Sequence, residues 1–207
     1  MERRQEESLA PPHSNDRAQR RTDWDRLSEE IRSCQRCSLH KVRTQAVVYR
    51  GGLSPQVVFL GEAPGAKEDK AGLPFVGRAG QRLDEAIAHL GLLGSSFGVL
   101  NLIKCRPPNN RFDPAAAAAC HPFLERQLDL LEPLLLVTLG ASALASIDPL
   151  APPVTKAAGH LREVNGRRVF PLVHPAATFR SRRYALRWES DLDRLREALP
   201  RLVREIL

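Results

Sequence analysis

Four cysteines give this 207-residue chain its clearest capacity for chemistry. Cys34-Gln35-Arg36-Cys37 is a Cys-x-x-Cys pair, and Cys105 and Cys120 are separated by fourteen residues, so two distant segments can supply four thiolates to one centre. Four thiolates suit tetrahedral zinc or an iron-sulfur cluster, and spacing alone does not separate the two. Packing as inert buried thiols is the plain alternative. From Met1 to Arg21 the chain is charged throughout and lacks the apolar centre of an export signal. A reducing, cytoplasmic setting is therefore expected, in which ligation is a better use of cysteine than cross-linking.

The other candidate groups follow short apolar runs. Val57-Val58-Phe59-Leu60 reads as a strand and is followed by Gly61-Glu62-Ala63-Pro64-Gly65. Val99 to Ile103 reads as a second strand, followed by Lys104-Cys105-Arg106-Pro107-Pro108; Leu134 to Leu139 as a third, followed by Gly140-Ala141-Ser142; and Arg168 to Val173 as a fourth, followed by His174-Pro175-Ala176-Ala177. Near-continuous apolar strands belong to parallel sheets covered on both faces, and such sheets bind ligands beyond the carboxyl ends of their strands. All four loops should share one rim.

Helical patterns alternate with these strands. Thr22 is placed to cap a helix with Trp24, Leu27 and Ile31 on one face, running into Cys34; Leu83, Ile87 and Leu90 mark another. Asp113-Pro114 is a cap followed by proline at the first helical position, opening a helix through Leu131, and Ala141 to Ile147 forms a shorter one. Asn165-Gly166 reads as a two-residue hairpin turn, and an amphipathic segment from about Arg182 closes the chain, interrupted at Pro200. The expected fold is a three-layer α/β/α sandwich around a central, mostly parallel four-stranded sheet. Residues 1–21 hold few large apolar groups and are expected to form a disordered tail, leaving 22–207 as one domain.

No stretch approaches the roughly 18 apolar residues of a membrane span. The formal charge of +7 and an isoelectric point near 9.7 favour a polyanionic partner, although basic proteins without one are common.

Three segments carry a family resemblance: Gly61 to Gly80, with its Leu73-Pro74-Phe75-Val76-Gly77 stretch, Asn101 to Arg111, and His174-Pro175-Ala176-Ala177. Together with the four cysteines, and in this order over roughly Trp24 to Leu199, they closely resemble the iron-sulfur uracil-DNA glycosylases called family 4. The resemblance implies hydrolysis of the bond between uracil and deoxyribose in single- or double-stranded DNA after base flipping, by a monomer carrying a 4Fe-4S cluster on Cys34, Cys37, Cys105 and Cys120.

It also implies roles that can be matched to physical need. Phe75 would stack on the flipped uracil, with Gly61 and Ala63 beside it in the substrate pocket, and Asn101 would pair a donor and an acceptor with the uracil edge. His174, neutral, would donate to a carbonyl oxygen on which negative charge grows as the bond breaks. Glu62 would orient the attacking water and steady positive charge on the sugar, and Glu68 would crowd out the thymine methyl group. Ala177, Phe179 and Arg180 would meet DNA, with Arg106 and Arg111 on the neighbouring loop. Relatives usually carry leucine where this chain has Thr178-Phe179, which points to Phe179 as the apolar wedge, and Ala158-Gly159 stands where relatives carry Arg-Gly. The competing reading is a binding module that captures uracil-containing DNA without turnover. A covalently trapping relative would need a basic, histidine-bearing insertion after the second strand, and Pro107 to Pro114 has none.

Overall fold

A computed structural model describes residues 14–204. The strands are β1 (Arg50–Gly51), β2 (Val57–Gly61), β3 (Phe97–Asn101), β4 (Leu135–Leu139), β5 (Arg162–Val164) and β6 (Arg167–Leu172). They form one sheet in the order β1-β3-β2-β4-β6-β5. The inner four are mutually parallel, as their continuous apolar sequences require, and a short antiparallel strand is added at each edge. β5 and β6 are joined through Asn165 and Gly166, both at positive φ, the geometry of a tight hairpin turn.

The helices are α1 (Ser14–Arg32), α2 (Ala66–Ala71), α3 (Arg78–His89), α4 (Pro114–Leu131), α5 (Ala141–Ile147), α6 (Val154–Ala157) and α7 (Arg182–Arg204). Because side chains alternate along a strand, Val57, Phe59 and Val137 pack with Leu83 and Ile87 of α3 and with Trp188, Leu192 and Leu195 of α7. Val58, Leu60 and Leu136 face the other way, onto Leu124 and Leu128 of α4, Ala143 of α5 and Trp24 of α1. The result is the expected α/β/α sandwich. No helix among the described residues is long and apolar enough to cross a membrane.

Three local expectations are corrected. The first helix is already formed at Ser14, the first described residue, so Thr22 is not its cap and its hydroxyl instead bonds back to the Ala18 carbonyl. Its early turns lack apolar groups but are held by Gln19 on Asp23, Arg21 on Asp25, and Arg20 on the Leu130 carbonyl and Glu132. The rest of the tail, residues 1–13, lies outside the described residues. β3 leaves the sheet after Asn101 rather than at Ile103, because the Leu102 and Ile103 amides turn to the carbonyls of Gly61 and Glu62. α7 continues through Pro200 to Arg204.

Asp113 caps α4 as the sequence indicates, accepting from the Ala116 amide at 2.9 Å. Trp188 is the largest side chain sealed under the sheet, 1% exposed. Trp188→Ala is expected to lower unfolding free energy by about 3–5 kcal/mol, read as a shifted urea midpoint.

Candidate active site

The carboxyl ends of β2, β3 and β6 converge on one cavity, whose lining includes Glu62, Glu68, Phe75, Asn101 and His174. Pairing of β2 with β3 sets Gly61 opposite Asn101. A side chain at Gly61 would begin 2.5 Å from Asn101 Oδ1 and 2.6 Å from the Phe75 ring, so glycine is the residue that lets both groups lie over this backbone. Asn101 is 1% exposed, yet its Oδ1 has no hydrogen-bond partner. A buried acceptor left open in this way marks a place where a ligand donor belongs.

Phe75 adopts positive φ (54°), unusual for a residue with a side chain and costing on the order of 1–3 kcal/mol. The surroundings enforce it. Glu68 Oε1 accepts from the amides of Val76 at 3.0 Å and Gly77 at 2.7 Å, while α3 closes directly over the Phe75 carbonyl, where Gly80 has no side chain to obstruct it. Glu68, expected to work as a filter at the cavity wall, is thus also the brace of the loop that presents Phe75.

His174 sits opposite, its ring 5.9 Å from that of Phe75. Burial, reinforced by the positive charge of Arg180, pushes its pKa down to about 4. The imidazole is therefore neutral at pH 7. Its Nδ1 accepts the Ala176 amide at 3.2 Å, which leaves the proton on Nε2. Across the cavity, Glu62 accepts a 2.6 Å hydrogen bond from the Ser142 hydroxyl at the start of α5.

Outside the cavity lie the groups expected to meet DNA. Phe179 is 41% exposed, and the Arg78 guanidinium stacks on its ring at 4.1 Å. Arg106 bonds to Asn110, which itself lines the cavity, whereas Arg111 and Arg180 are exposed. Ala177 is half-buried in the turn after His174 and donates its amide to the His174 carbonyl; Ala63 and Ala176 line the cavity directly. Ala158 is fully buried, and its carbonyl accepts from Arg187, which also pairs with Asp191.

A second cavity, lined by Cys34, Cys37, Cys105 and Cys120, lies where the end of α1, the loop after β3 and α4 meet. Two of its sulfurs receive N–H donors: Cys105 from Arg43 at 3.0 Å and Cys34 from the Arg36 amide at 3.4 Å. Donors of this kind surround metal-bound thiolates. Among the described residues, no three potential ligands group closely enough to hold a single metal ion.

The family model of the uracil DNA glycosylase superfamily matches residues 48–202. The chain belongs to this superfamily. It is 42% identical to a type-4 uracil-DNA glycosylase of Thermotoga maritima over 164 residues, covering 78% of this chain and 85% of that protein. It is also 38% identical to one from Sulfurisphaera tokodaii (84% and 83% covered) and 39% identical to one from Pyrobaculum aerophilum (83% and 91%).

For this member of the superfamily, sequence reasoning overlooked Ser142 and Arg78. Ser142 lies in a rim loop and Arg78 in the Gly61 to Gly80 segment that carries the resemblance, but a serine beside a carboxylate across the sheet, or an arginine over a distant ring, leaves no trace in local spacing. The unfolded chain protonates His174 near pH 6.5 and the folded chain only near 4. Between those values the unfolded state binds more protons, so stability falls as pH drops through the window. His174→Ala is expected to flatten that part of the stability–pH curve, and an NMR titration should place the His174 midpoint near 4; a midpoint near 6.5 would refute the burial argument.

Proposed function

We propose that this chain is a monofunctional uracil-DNA glycosylase that acts as a monomer on uracil flipped out of single- or double-stranded DNA. The observation that carries this reading is the open Asn101 Oδ1, buried in a cavity shared with an aromatic ring, a neutral imidazole and a held carboxylate. Uracil stacks on Phe75; Asn101 accepts from its N3–H and donates to the neighbouring carbonyl. As the C1′–N1 bond breaks, its electron pair passes to the base, and His174 Nε2–H donates to the oxygen where charge accumulates. Glu62, fixed by Ser142, orients a water toward C1′, faces the oxocarbenium-like sugar and takes the water's proton.

Glu68, tied down by two backbone amides, forms a wall that cannot easily yield to the methyl group of thymine. Of the residues lining the cavity none is a lysine, so water is the nucleophile, an abasic site is the product and the strand stays intact. Phe179 is the wedge that fills the vacated stack, with Arg180, Arg106 and Arg111 toward phosphates.

The four cysteines hold a 4Fe-4S cluster in this reading. Their sulfurs line one shared space, and those of Cys105 and Cys34 receive N–H donors of the kind that surround metal-bound thiolates. The cluster would cross-link the end of α1, the loop after β3 and α4.

On a duplex with one uracil, the protein is expected to create an alkali-labile site, and His174→Ala or Asn101→Ala to slow this by about 100-fold or more while remaining folded. Retention of DNA without breakage would make the protein a binding module instead. Full turnover by both variants would remove the pocket from the chemistry. The purified protein should be brown with broad visible absorbance, and a colourless, zinc-loaded, active protein would overturn the cluster assignment.

A further inference from the structure

Arg78 is the first residue of α3, and its guanidinium lies over the Phe179 ring at 4.1 Å. Among the described residues no carboxylate pairs with it, whereas its neighbour Arg82 is held by Glu85 and Glu189. Both partners of the stack stand on fixed backbone. Glu68 binds the Gly77 amide just before Arg78, and α3 begins there with the Gln81 amide on the Gly77 carbonyl at 3.0 Å. The turn Pro175–Phe179 is closed by the Thr178 hydroxyl on the Pro175 carbonyl at 2.7 Å and the Arg180 amide on the Ala177 carbonyl at 3.0 Å. What the backbone leaves free is the Phe179 side chain itself, 41% exposed. Beside it lies an open groove of about 380 Å³ between α3 and this turn, lined also by Gln81, Thr178 and Ala185. An exposed ring held by nothing has this groove to collapse into, because apolar surface is driven out of water. The guanidinium across one face of the ring opposes that collapse.

We propose that Arg78 is a positioning residue for the capture of uracil from duplex DNA: its guanidinium holds the Phe179 side chain in the posture from which the ring enters the base stack. The inference rests on the glycosylase reading and on Phe179 as the wedge. It assigns Arg78 no contact with the base and needs none with phosphate. A ring already held in one posture loses less freedom when it inserts, and the attraction that holds it is modest enough to be exchanged for contact with bases. A single strand leaves no paired stack to fill, so the role belongs to duplex substrates.

Arg78→Met removes the charge and the planar face but keeps a long apolar stem, and Arg78→Lys keeps a cation that a ring face still attracts. Arg78 is exposed, so neither change burdens the core. Phe179→Leu keeps an apolar wedge without an aromatic face. Flipping is followed by the fluorescence of 2-aminopurine placed beside uracil in a duplex, and uracil release is measured on matched duplex and single strands. R78M is expected to slow the duplex fluorescence rise by about fivefold to tenfold and to lower the duplex-to-single-strand ratio of release rates by a similar factor. R78K should fall between R78M and wild type. In an F179L background, R78M should change either quantity by less than about twofold, because the group it acts through is gone. Equal slowing by R78M in both backgrounds would mean that Arg78 meets DNA directly and would overturn the inference. Wild-type flipping in R78M would overturn it too, as would losses that depress single-strand and duplex release alike and leave their ratio unchanged. The readings beneath it fail separately. Phe179→Ala with wild-type duplex flipping would remove the wedge and, with it, the role of Arg78. A wild-type protein that flips but releases no uracil would defeat only the glycosylase reading, while the fluorescence comparison would still decide whether Arg78 acts through Phe179.

Discussion

The Phe75 ring and the Asn101 carboxamide share the space over a single bare α-carbon, that of Gly61, and the rest of the site is organised around this crowding. Parallel pairing of β2 with β3 delivers Asn101 to that point, because it fixes Gly61 and Asn101 as partners at the last rung of the sheet. Phe75 arrives from outside the sheet and reaches it only with its backbone in a disfavoured region. Glu68 and the close approach of α3 at Gly80 keep it there. Strain of this size persists only where several neighbours over-determine it. Here a carboxylate, a helix and a glycine do so together.

Charge is distributed by exclusion. The chain carries a formal +7, yet the cavity between Phe75 and Asn101 holds a neutral imidazole. Burial removes the proton that His174 would otherwise carry in mild acid, and Arg180 adds to the effect from the surface. A neutral N–H donor in a cavity screened from water offers its full dipole to charge that develops during a reaction. Arginines outside attract a polyanion without neutralising that donor's task.

The inner sheet and the rim of loops were legible because buried parallel strands are written as uninterrupted apolar runs, each ending at its loop. The hairpin and the α4 cap were legible because Asn165-Gly166 and Asp113-Pro114 act through local geometry. What escaped was set by tertiary contact. β1, only two residues long, exists through its pairing with β3; the first turns of α1 are held by ion pairs and by Arg20 reaching the end of α4. The end of β3 depends on hydrogen bonds to Gly61 and Glu62, which no periodicity in Val99 to Ile103 reveals. Likewise the resemblance sets Glu68 against the thymine methyl group, while its two bonds to the Phe75 loop come from folding.

The stack of Arg78 on Phe179 joins two of these loops. Arg78 follows directly on Val76 and Gly77, whose amides Glu68 holds, and Phe179 closes the turn that His174 opens. Phe75 and His174 already lie ring to ring at the cavity, so the two segments touch twice, once inside and once at the surface. A displacement of the exposed ring must therefore be felt by the segment that presents Phe75. An aromatic ring also lends itself to this arrangement better than an aliphatic side chain would, because its face attracts a guanidinium while its edge stays free. Phenylalanine at this surface thus ties the outer loop to the pocket with a contact that an aliphatic side chain could not make.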